Sequence, residues 1–409
     1  MSGRAATVRV LLTALALVVG GCGEVVVPSA APSSPSSVVS SAAPSAPAPS
    51  ASAAASAAAS AAASAAVVPP ATPEPTPPGP TLEELVGQRI VVTMDKGAPS
   101  AAFLDRIRRG EIGGVILFGR HIADDAALAA LTELLHQTAL EGGNPPLLVM
   151  TDQEGGIVRR LDWAPPLLSA WDMGQAMDGD SVREQGRLTG DVLRAVGIDL
   201  DLAPVADVPA SPKGFMYGDR RVFSLDSSVT ATLATAFADG LADSGVLATM
   251  KHFPGIGRAI PNTDLHVVKI TAGADAMAAD LAPYRLAIDH GVPLIMLSNA
   301  VYPAWDASNA AGWSPAIAGT LLRDQMGFTG VTITDGLDGA ATSRHTQEKT
   351  LALKAALAGV DLLLLTGLET RSVAAYNTLL AAARAGTLPM ASLLASYDRI
   401  LALKGVTGP

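Results

Sequence analysis

Apolar and polar residues follow two alternating patterns along the chain from Thr81 onward. Short apolar runs of strand length recur at residues 90–94, 114–118, 147–151, 199–203, 246–250, 294–298, 330–334 and 361–365. Longer stretches with apolar residues at helical spacing lie between them, among them residues 126–140, 182–196, 229–244 and 315–326. This alternation predicts repeated strand–helix units and therefore a parallel sheet in an α/β protein.

The number of these units indicates how the sheet is arranged. Eight strand–helix units within residues 81–409 fit a (β/α)8 barrel of the TIM type that forms a single catalytic domain. A doubly wound open sheet is the alternative, because periodicity alone does not distinguish a closed sheet from one with open edges. No glycine-rich phosphate-binding fingerprint follows the first strand, which weakens a dinucleotide-binding interpretation.

The amino terminus has the layout of an export signal. Arg4 and Arg9 flank an apolar run that ends near Val19 and is too short to span a bilayer. The residues from Val19 to Cys22 resemble a bacterial lipobox, so residues 1–22 are predicted to be a lipoprotein signal peptide with Cys22 as the lipidated residue. Cys22 is the only cysteine, which excludes an intrachain disulfide. We therefore expect an extracytoplasmic protein, lipid-anchored to the outer face of the bacterial cell membrane.

Residues 23–80 consist almost entirely of Ala, Ser, Pro and Val. Such a segment cannot bury enough apolar surface to offset its ordering entropy, so it is predicted to be a disordered tether. The net charge of −10, without a basic patch, argues against a nucleic-acid partner. Contact with the membrane is expected only through the lipid anchor, and the protein is expected to be a monomer.

Polar and charged residues follow several of the predicted strands. Asp152 follows the third, Asp207 the fourth, Lys251 and His252 the fifth, and Asp335 the seventh. In a (β/α)8 barrel the catalytic groups lie at these carboxyl ends. A single charged residue there is often only a helix cap. Four strand ends that all carry such residues favour an active site.

The segment from Lys251 to His266, KHFPGIGRAIPNTDLH, adds a candidate proton donor. In an extended loop Asp264 and His266 would point the same way, so that the carboxylate could orient the imidazole. Such a pair is suited to general acid–base chemistry. The alternative interpretation is a surface loop with a scattered His and Asp.

Four sequence blocks resemble glycoside hydrolase family 3, in its single-domain β-N-acetylhexosaminidase branch. They are GGVILFGRHI at 113–122, LVMTDQEGGIVRRL at 148–161, the KHFPG stretch, and GFTGVTITDGLDGA at 327–340. The blocks occur in the order typical of that family and cover nearly all of residues 81–409.

The resemblance implies a role for each matching residue. Asp335 is implied to be the carboxylate nucleophile, and His266, oriented by Asp264, the acid/base. A second set is implied to bind the sugar: Asp152, Arg160, Arg221, Lys251 and His252. Retaining hydrolysis uses one attacking group and one proton donor, and it requires neither a metal nor a cofactor.

The chain departs from the family pattern in a few places. Ile256 replaces a histidine of the usual PGHG stretch, Leu265 replaces the serine of the Asp-Ser-His dyad, and Gly336 replaces a second aspartate after the nucleophile. Either Arg220 or Arg221 could be the arginine of the GDR loop, and Arg221 is preferred for its spacing to the following Phe.

The leading hypothesis is a retaining, exo-acting β-N-acetylglucosaminidase that acts on peptidoglycan fragments (muropeptides) or related glycans. One alternative is a sugar-binding lipoprotein that has lost turnover, although retention of Asp335 and His266 speaks against it. Another is a β-glucosidase or a phosphorylase variant of the same family, in which phosphate replaces water as the acceptor.

Overall fold

The computed structural model describes residues 79–406. The predicted signal peptide, the lipidation site Cys22 and residues 23–78 of the predicted tether lie outside this range. Among the described residues, no helix is long and apolar enough to cross a membrane.

Eight parallel strands form the centre of the fold. They are β1 (Ile90–Val92), β2 (Gly114–Ile116), β3 (Leu148–Thr151), β4 (Leu200–Asp201), β5 (Leu247–Phe253), β6 (Leu294–Leu297), β7 (Val331–Thr334) and β8 (Leu363–Leu365). Each strand pairs with the next in chain order from β1 to β7, and β8 pairs with β1. A parallel bridge between Ile333 and Leu362 joins β7 to the start of β8. The barrel prediction is therefore confirmed, and the open sheet is excluded because both potential edges are paired.

Apart from α1, which precedes β1, the helices follow the strands as expected for strand–helix units. They are α1 (Leu82–Gly87), α2 (Ala101–Arg108), α3 (Asp125–Glu141), α4 (Ala170–Ala176), α5 (Gly179–Ala195), α6 (Phe215–Gly218), α7 (Ser227–Asp243), α8 (Ala278–Asp289), α9 (Leu337–Ser343), α10 (Glu348–Leu357), α11 (Glu369–Arg384) and α12 (Met390–Leu403). The predicted helix at 315–326 is a π-helix, Ala316–Gln325. Short 3₁₀ turns lie at Gly119–His121 and Ala311–Trp313, and two small hairpins pair Gln153–Gly155 with Val158–Arg159 and Val301–Tyr302 with Asp306–Ala310.

Aspartate side chains fix the starts of three long helices. Asp124, Asp178 and Asp226 each accept a hydrogen bond from the backbone three residues on, which satisfies an amide that the helix leaves unpaired. The close contact of α5 with α7 depends on glycine, which has no side chain. A Cβ on Gly240 would lie 2.0 Å from the carbonyl oxygen of Arg183, so only glycine permits this approach.

Apolar side chains form two separate clusters, one inside the barrel and one on its outer surface. Val91, Ile116, Met150, Leu294 and Ile333 belong to the interior cluster. A larger cluster packs between the strands and the helices. Successive residues of a strand point to opposite faces, so both faces of these short apolar runs are buried. The carboxyl ends of the strands are left to carry polar side chains.

Candidate active site

A cavity of about 470 Å³ opens at the carboxyl ends of the barrel strands. Seven of the eight residues predicted for catalysis and sugar binding line it: Asp152, Arg160, Arg221, Lys251, His252, Asp264 and Asp335. The structure therefore brings together groups that are up to 183 residues apart in sequence, Asp152 and Asp335. The exception is His266.

Lys251 lies at the centre of a chain of paired charges. Its ammonium group is 2.9 Å from Asp152 Oδ1 and 2.7 Å from Glu154 Oε1. Arg221 donates two hydrogen bonds of 2.8 Å to the carboxylate of Glu154. Arg160 donates to Asp152 Oδ2 at 3.3 Å. Each buried charge in this cluster has a partner of opposite sign, which is the condition for keeping charges out of water.

Electrostatics keep the carboxylates of this cluster ionised. Burial opposes ionisation of Asp152, but the charges of Lys251 and Arg160 outweigh it and lower the pKa of Asp152. Glu154 follows the same pattern: burial is outweighed by Arg221 and Lys251, and its pKa falls far below the ordinary value. Burial alone would lower the pKa of Lys251, yet Asp152 and Glu154 raise it. Asp152 thus presents a fixed anionic acceptor to the cavity.

The end of the apolar run at Met250 predicts that Lys251 and His252 lie in a loop. The structure places both residues in a strand instead. Strand β5 continues to Phe253, and Lys251 still forms a parallel bridge with Val205 in the segment that follows β4. The side chain of His252 is held by Asp207, with 2.8 Å between Nδ1 and Oδ2. Asp207 also accepts a hydrogen bond from the backbone N–H of Ile256 at 2.7 Å, which ties the following loop to the site.

Asp335 follows β7 directly, and its Oδ1 accepts a hydrogen bond of 2.8 Å from Gly336 N–H. Burial, supported by the nearby charge of Asp264, raises the pKa of Asp335 to about 6. Near neutral pH most of this carboxyl is therefore ionised. Its strand is four positions from β3 in either direction around the barrel, so Asp335 and Asp152 lie on opposite sides of the cavity.

The predicted extended loop at Asp264 and His266 is a turn. Leu265 N–H and His266 N–H both donate to Asn262 O, and Asp264 N–H donates to the Asn262 side chain. In such a turn, side chains two residues apart diverge, so the expected contact between Asp264 and His266 is wrong for this conformation. Asp264 and His266 are both exposed. Asp264 lines the cavity, whereas His266 lies outside its lining and has no side-chain hydrogen bond among the described residues.

The two arginines of the GDR loop lie in different places. Arg221 lines the cavity and binds Glu154, whereas Arg220 is in the left-handed region, at φ 57°, and pairs with Asp172 at the surface. The positions that depart from the family pattern also border the site. Ile256 and Leu265 line the cavity, and Gly336 supplies the amide that contacts Asp335.

Three acidic residues in or next to the site were not among the predicted site residues. Glu154 and Asp207 were visible at strand ends, and their geometry now shows that they position Arg221, Lys251 and His252. Asp201 lies beneath them, and burial raises its pKa to about 8. The available signal was an acidic residue within the apolar run of β4: Leu200 and Leu202 belong to the interior cluster, so Asp201 between them points to the other face of the sheet. Among residues 79–406, no group of three or more His, Cys, Asp or Glu side chains could hold a metal ion.

The part of the chain that forms the barrel and the cavity also matches a known protein family. The sequence model described as "Glycosyl hydrolase family 3 N terminal domain" matches residues 81–403. This range contains every residue of the cavity described above.

Individual relatives are similar over most of the chain. A protein named "Uncharacterized secreted glycosyl hydrolase" from Arthroderma benhamiae is 35% identical over 78% of this chain and 92% of its own length. "Beta-hexosaminidase LpqI" of Mycobacterium tuberculosis is 33% identical over 78% of this chain and 82% of its own.

Solved structures agree in fold. A β-N-acetylhexosaminidase from Beutenbergia cavernae superposes with a TM-score of 0.74 at 35% identity, covering 80% of this chain and 99% of that one. A family 3 β-N-acetylglucosaminidase from a Paenibacillus strain gives a TM-score of 0.77 at 33% identity, covering 80% of this chain. The present chain spans 62% of the Paenibacillus protein.

Proposed function

The chain belongs to glycosyl hydrolase family 3, and from this premise we propose that it is a retaining, exo-acting β-N-acetylhexosaminidase. Its substrates would be glycans with a terminal β-linked N-acetylglucosamine, in particular peptidoglycan fragments. The observation that carries the proposal is the placement of Asp335 across one cavity from the paired cluster of Asp152 and Lys251. The names of the M. tuberculosis and B. cavernae relatives support the N-acetylhexosaminidase class.

In this proposal Asp335 attacks the anomeric carbon. The carboxylate forms a covalent glycosyl-enzyme while the glycosidic oxygen leaves with the aglycone and takes up a proton. Water then attacks the same carbon and releases the sugar with its original configuration. The pKa of about 6 leaves Asp335 ionised near neutral pH, as a nucleophile requires.

His266 is proposed to supply that proton and later to activate the water. Because His266 is exposed and outside the cavity lining, the proposal requires residues 262–266 to rearrange when the sugar binds. The position of Asp264 supports this: it already lines the cavity two residues away, and the backbone hydrogen bonds that close the turn, among residues 79–406, go to Asn262 O. After rearrangement Asp264 would orient the imidazole and stabilise its charged form.

Sugar binding is proposed to depend on fixed groups. Asp152 would accept hydrogen bonds from the sugar hydroxyls, while Lys251 and Arg160 orient its carboxylate. His252, held by Asp207, would present its other ring nitrogen to the sugar. Arg221 would bind the sugar from the position in which Glu154 holds its Nε and Nη2. Such multidentate contacts place the anomeric carbon at the nucleophile.

The test of the proposal is turnover by the purified protein of aryl N-acetyl-β-glucosaminide and, in parallel, aryl β-glucoside. Release from the first substrate alone, abolished in Asp335→Ala, is the expected result. Release from the glucoside alone would identify a β-glucosidase. Faster turnover in phosphate, with a sugar phosphate as the product, would identify a phosphorylase.

The position of His266 outside the cavity favours a second candidate, a sugar-binding protein without turnover. It differs from the first in one result. N-acetylglucosamine would raise the melting temperature, but neither aryl glycoside would be cleaved under any condition tested.

We propose further that the protein is exported and anchored through Cys22, which lies outside the described residues. The secreted relative of A. benhamiae supports export. Partition of the protein into a detergent phase, lost in Cys22→Ser, tests the anchor; a wild-type protein that stays in the aqueous phase would contradict it. Gel filtration of the detached protein should give the mass of a monomer.

A further inference from the structure

Leu265 has an apolar side chain that borders the cavity and is not covered by other residues. It lines the cavity beside Asp264, yet it is 70% exposed. Single exposed leucines are common on protein surfaces and need no explanation. The location of Leu265 is what distinguishes it from the others.

The turn that carries Leu265 lies against the nucleophile's helix. A Cβ on Gly339, at the start of α9, would lie 2.9 Å from the carbonyl oxygen of Asp264, so the turn and α9 are in direct contact. Asp264 is also close enough to Asp335 for its charge to act on that carboxyl. Leu265 therefore borders the cavity at its Asp335 end. Asp335 attacks the anomeric carbon at that end, and the leaving group departs from the opposite face of the sugar, where His266, on the same turn as Leu265, is proposed to donate the proton.

Other apolar side chains continue this wall. Phe215, half-buried at the start of α6, lines the same cavity, and its N–H donates to Ala259 O at 3.3 Å. That hydrogen bond ties the β4 loop to the segment that carries Leu265. Ile256, 1% exposed, is a further lining residue from this segment. The polar groups proposed to bind the sugar come instead from the segments after β3, from the end of β5 and from Arg221 of the β4 loop.

We infer that Leu265 contacts the leaving group and makes the enzyme favour aglycones that present an apolar surface over small polar ones. The inference rests on the proposed glycosidase function and adds the chemical class of the aglycone. Leu265 contributes to binding only: the proton for the leaving oxygen comes from elsewhere. An aglycone with an alkyl chain would cover the exposed side chain and gain from the removal of apolar surface from water.

Hexyl and methyl N-acetyl-β-glucosaminides provide the test, because their leaving oxygens have similar basicity and demand the same protonation. The measured quantity is the hexyl-to-methyl ratio of kcat/KM. Leu265→Ser should lower this ratio by about 5- to 10-fold, the loss of one apolar contact. Val267→Ser is the matched control, since Val267 is 47% exposed on the same segment but does not line the cavity. Its ratio should stay within about 2-fold of the wild type.

Binding of the same two glycosides to the Asp335→Asn variant separates this inference from the proposed reaction. Calorimetry should show tighter binding of the hexyl glycoside, and adding Leu265→Ser should remove the difference. Equal affinities, or an unchanged ratio in Leu265→Ser, would overturn the inference and leave hydrolysis intact. Selective binding of the hexyl glycoside by a wild type that cleaves neither would instead overturn the hydrolase function.

Discussion

The two parts of the cavity differ in how firmly their side chains are held. Between β3 and β5, Lys251, Asp152 and Glu154 are linked to one another by ion pairs of 2.7–2.9 Å, and Arg221 completes the cluster. The turn at residues 262–266, which carries the proposed acid/base, is held by backbone hydrogen bonds to Asn262 and leaves His266 exposed. The side proposed to bind the sugar is preorganised, whereas the side proposed to transfer the proton would have to rearrange.

This difference separates the two tasks of the site. A fixed, paired cluster can orient a sugar without reorganising at the moment of reaction. An exposed turn allows a sugar to enter before the acid/base covers it, which is how mobile loops commonly act in enzymes. Variants in the two parts should therefore fail in different ways.

The largest effect is expected for the nucleophile. Asp335→Ala removes the only group proposed to bond to the sugar and should lower kcat by on the order of 10⁴-fold. Circular dichroism and the melting temperature should remain near the wild-type values. A variant that keeps more than a tenth of the activity would contradict the assignment of Asp335.

A similarly severe effect, on stability as well as activity, is expected for Lys251→Met. It leaves Asp152 and Glu154 buried without their shared cation and should cost about 3–5 kcal/mol of unfolding free energy, measured by urea denaturation. Lys269→Met is the matched control, because Lys269 is exposed and has no ion pair among the described residues. Equal losses in the two variants would show that the buried cluster does not stabilise the site.

The proton-transfer side should show dependence on the leaving group. His266→Ala should lower kcat/KM by roughly 10²- to 10³-fold for alkyl glycosides, which need a protonated leaving oxygen. Activated aryl glycosides need little protonation and should lose less than about 10-fold. Losses of equal size on both substrate types would contradict the acid/base role.

Arg220 and Arg221 are neighbours in one loop but pair with different residues, so the effects of replacing each can be compared directly. Arg221→Ala breaks a buried bidentate pair and should lower kcat/KM by about 10²-fold, whereas Arg220→Ala breaks a surface pair and should change it less than 2-fold. The steady-state kinetics of both variants provide the measurement. A larger loss for Arg220→Ala would move the sugar-binding role to Arg220.

The smallest effect is a shift in pH dependence. Burial and then the charge of Asp264 raise the pKa of Asp335 to about 6, so the ionised nucleophile, and with it kcat/KM, is lost as the pH falls through that value. Asp264→Asn removes a negative charge, lowers this pKa and should move the acidic limb of the profile to lower pH. An unchanged or raised limb would show that Asp264 does not act on Asp335.

The contrast between the two parts also explains what could be predicted from sequence. All eight strands were found, because fully buried parallel strands appear as short apolar runs, and their ends identified Asp152, Lys251 and Asp335. The extent of β5 was missed because Lys251 and His252 are polar strand residues. The turn at 262–266 depends on hydrogen bonds to Asn262, for which the turn-favouring residues Pro261, Asn262 and Asp264 were the local signal. The pairing of Arg221 with Glu154 depends on tertiary contact and has no sequence pattern.

Trapping the glycosyl-enzyme tests the central claim most directly. A fluorinated N-acetylglucosaminyl fluoride, which forms the covalent intermediate faster than water releases it, should label the protein once per molecule. Mass spectrometry of the digested protein is expected to place this label on Asp335. A label on Asp264, Asp338 or any other residue, or continued turnover without any label, would contradict a retaining mechanism with Asp335 as its nucleophile.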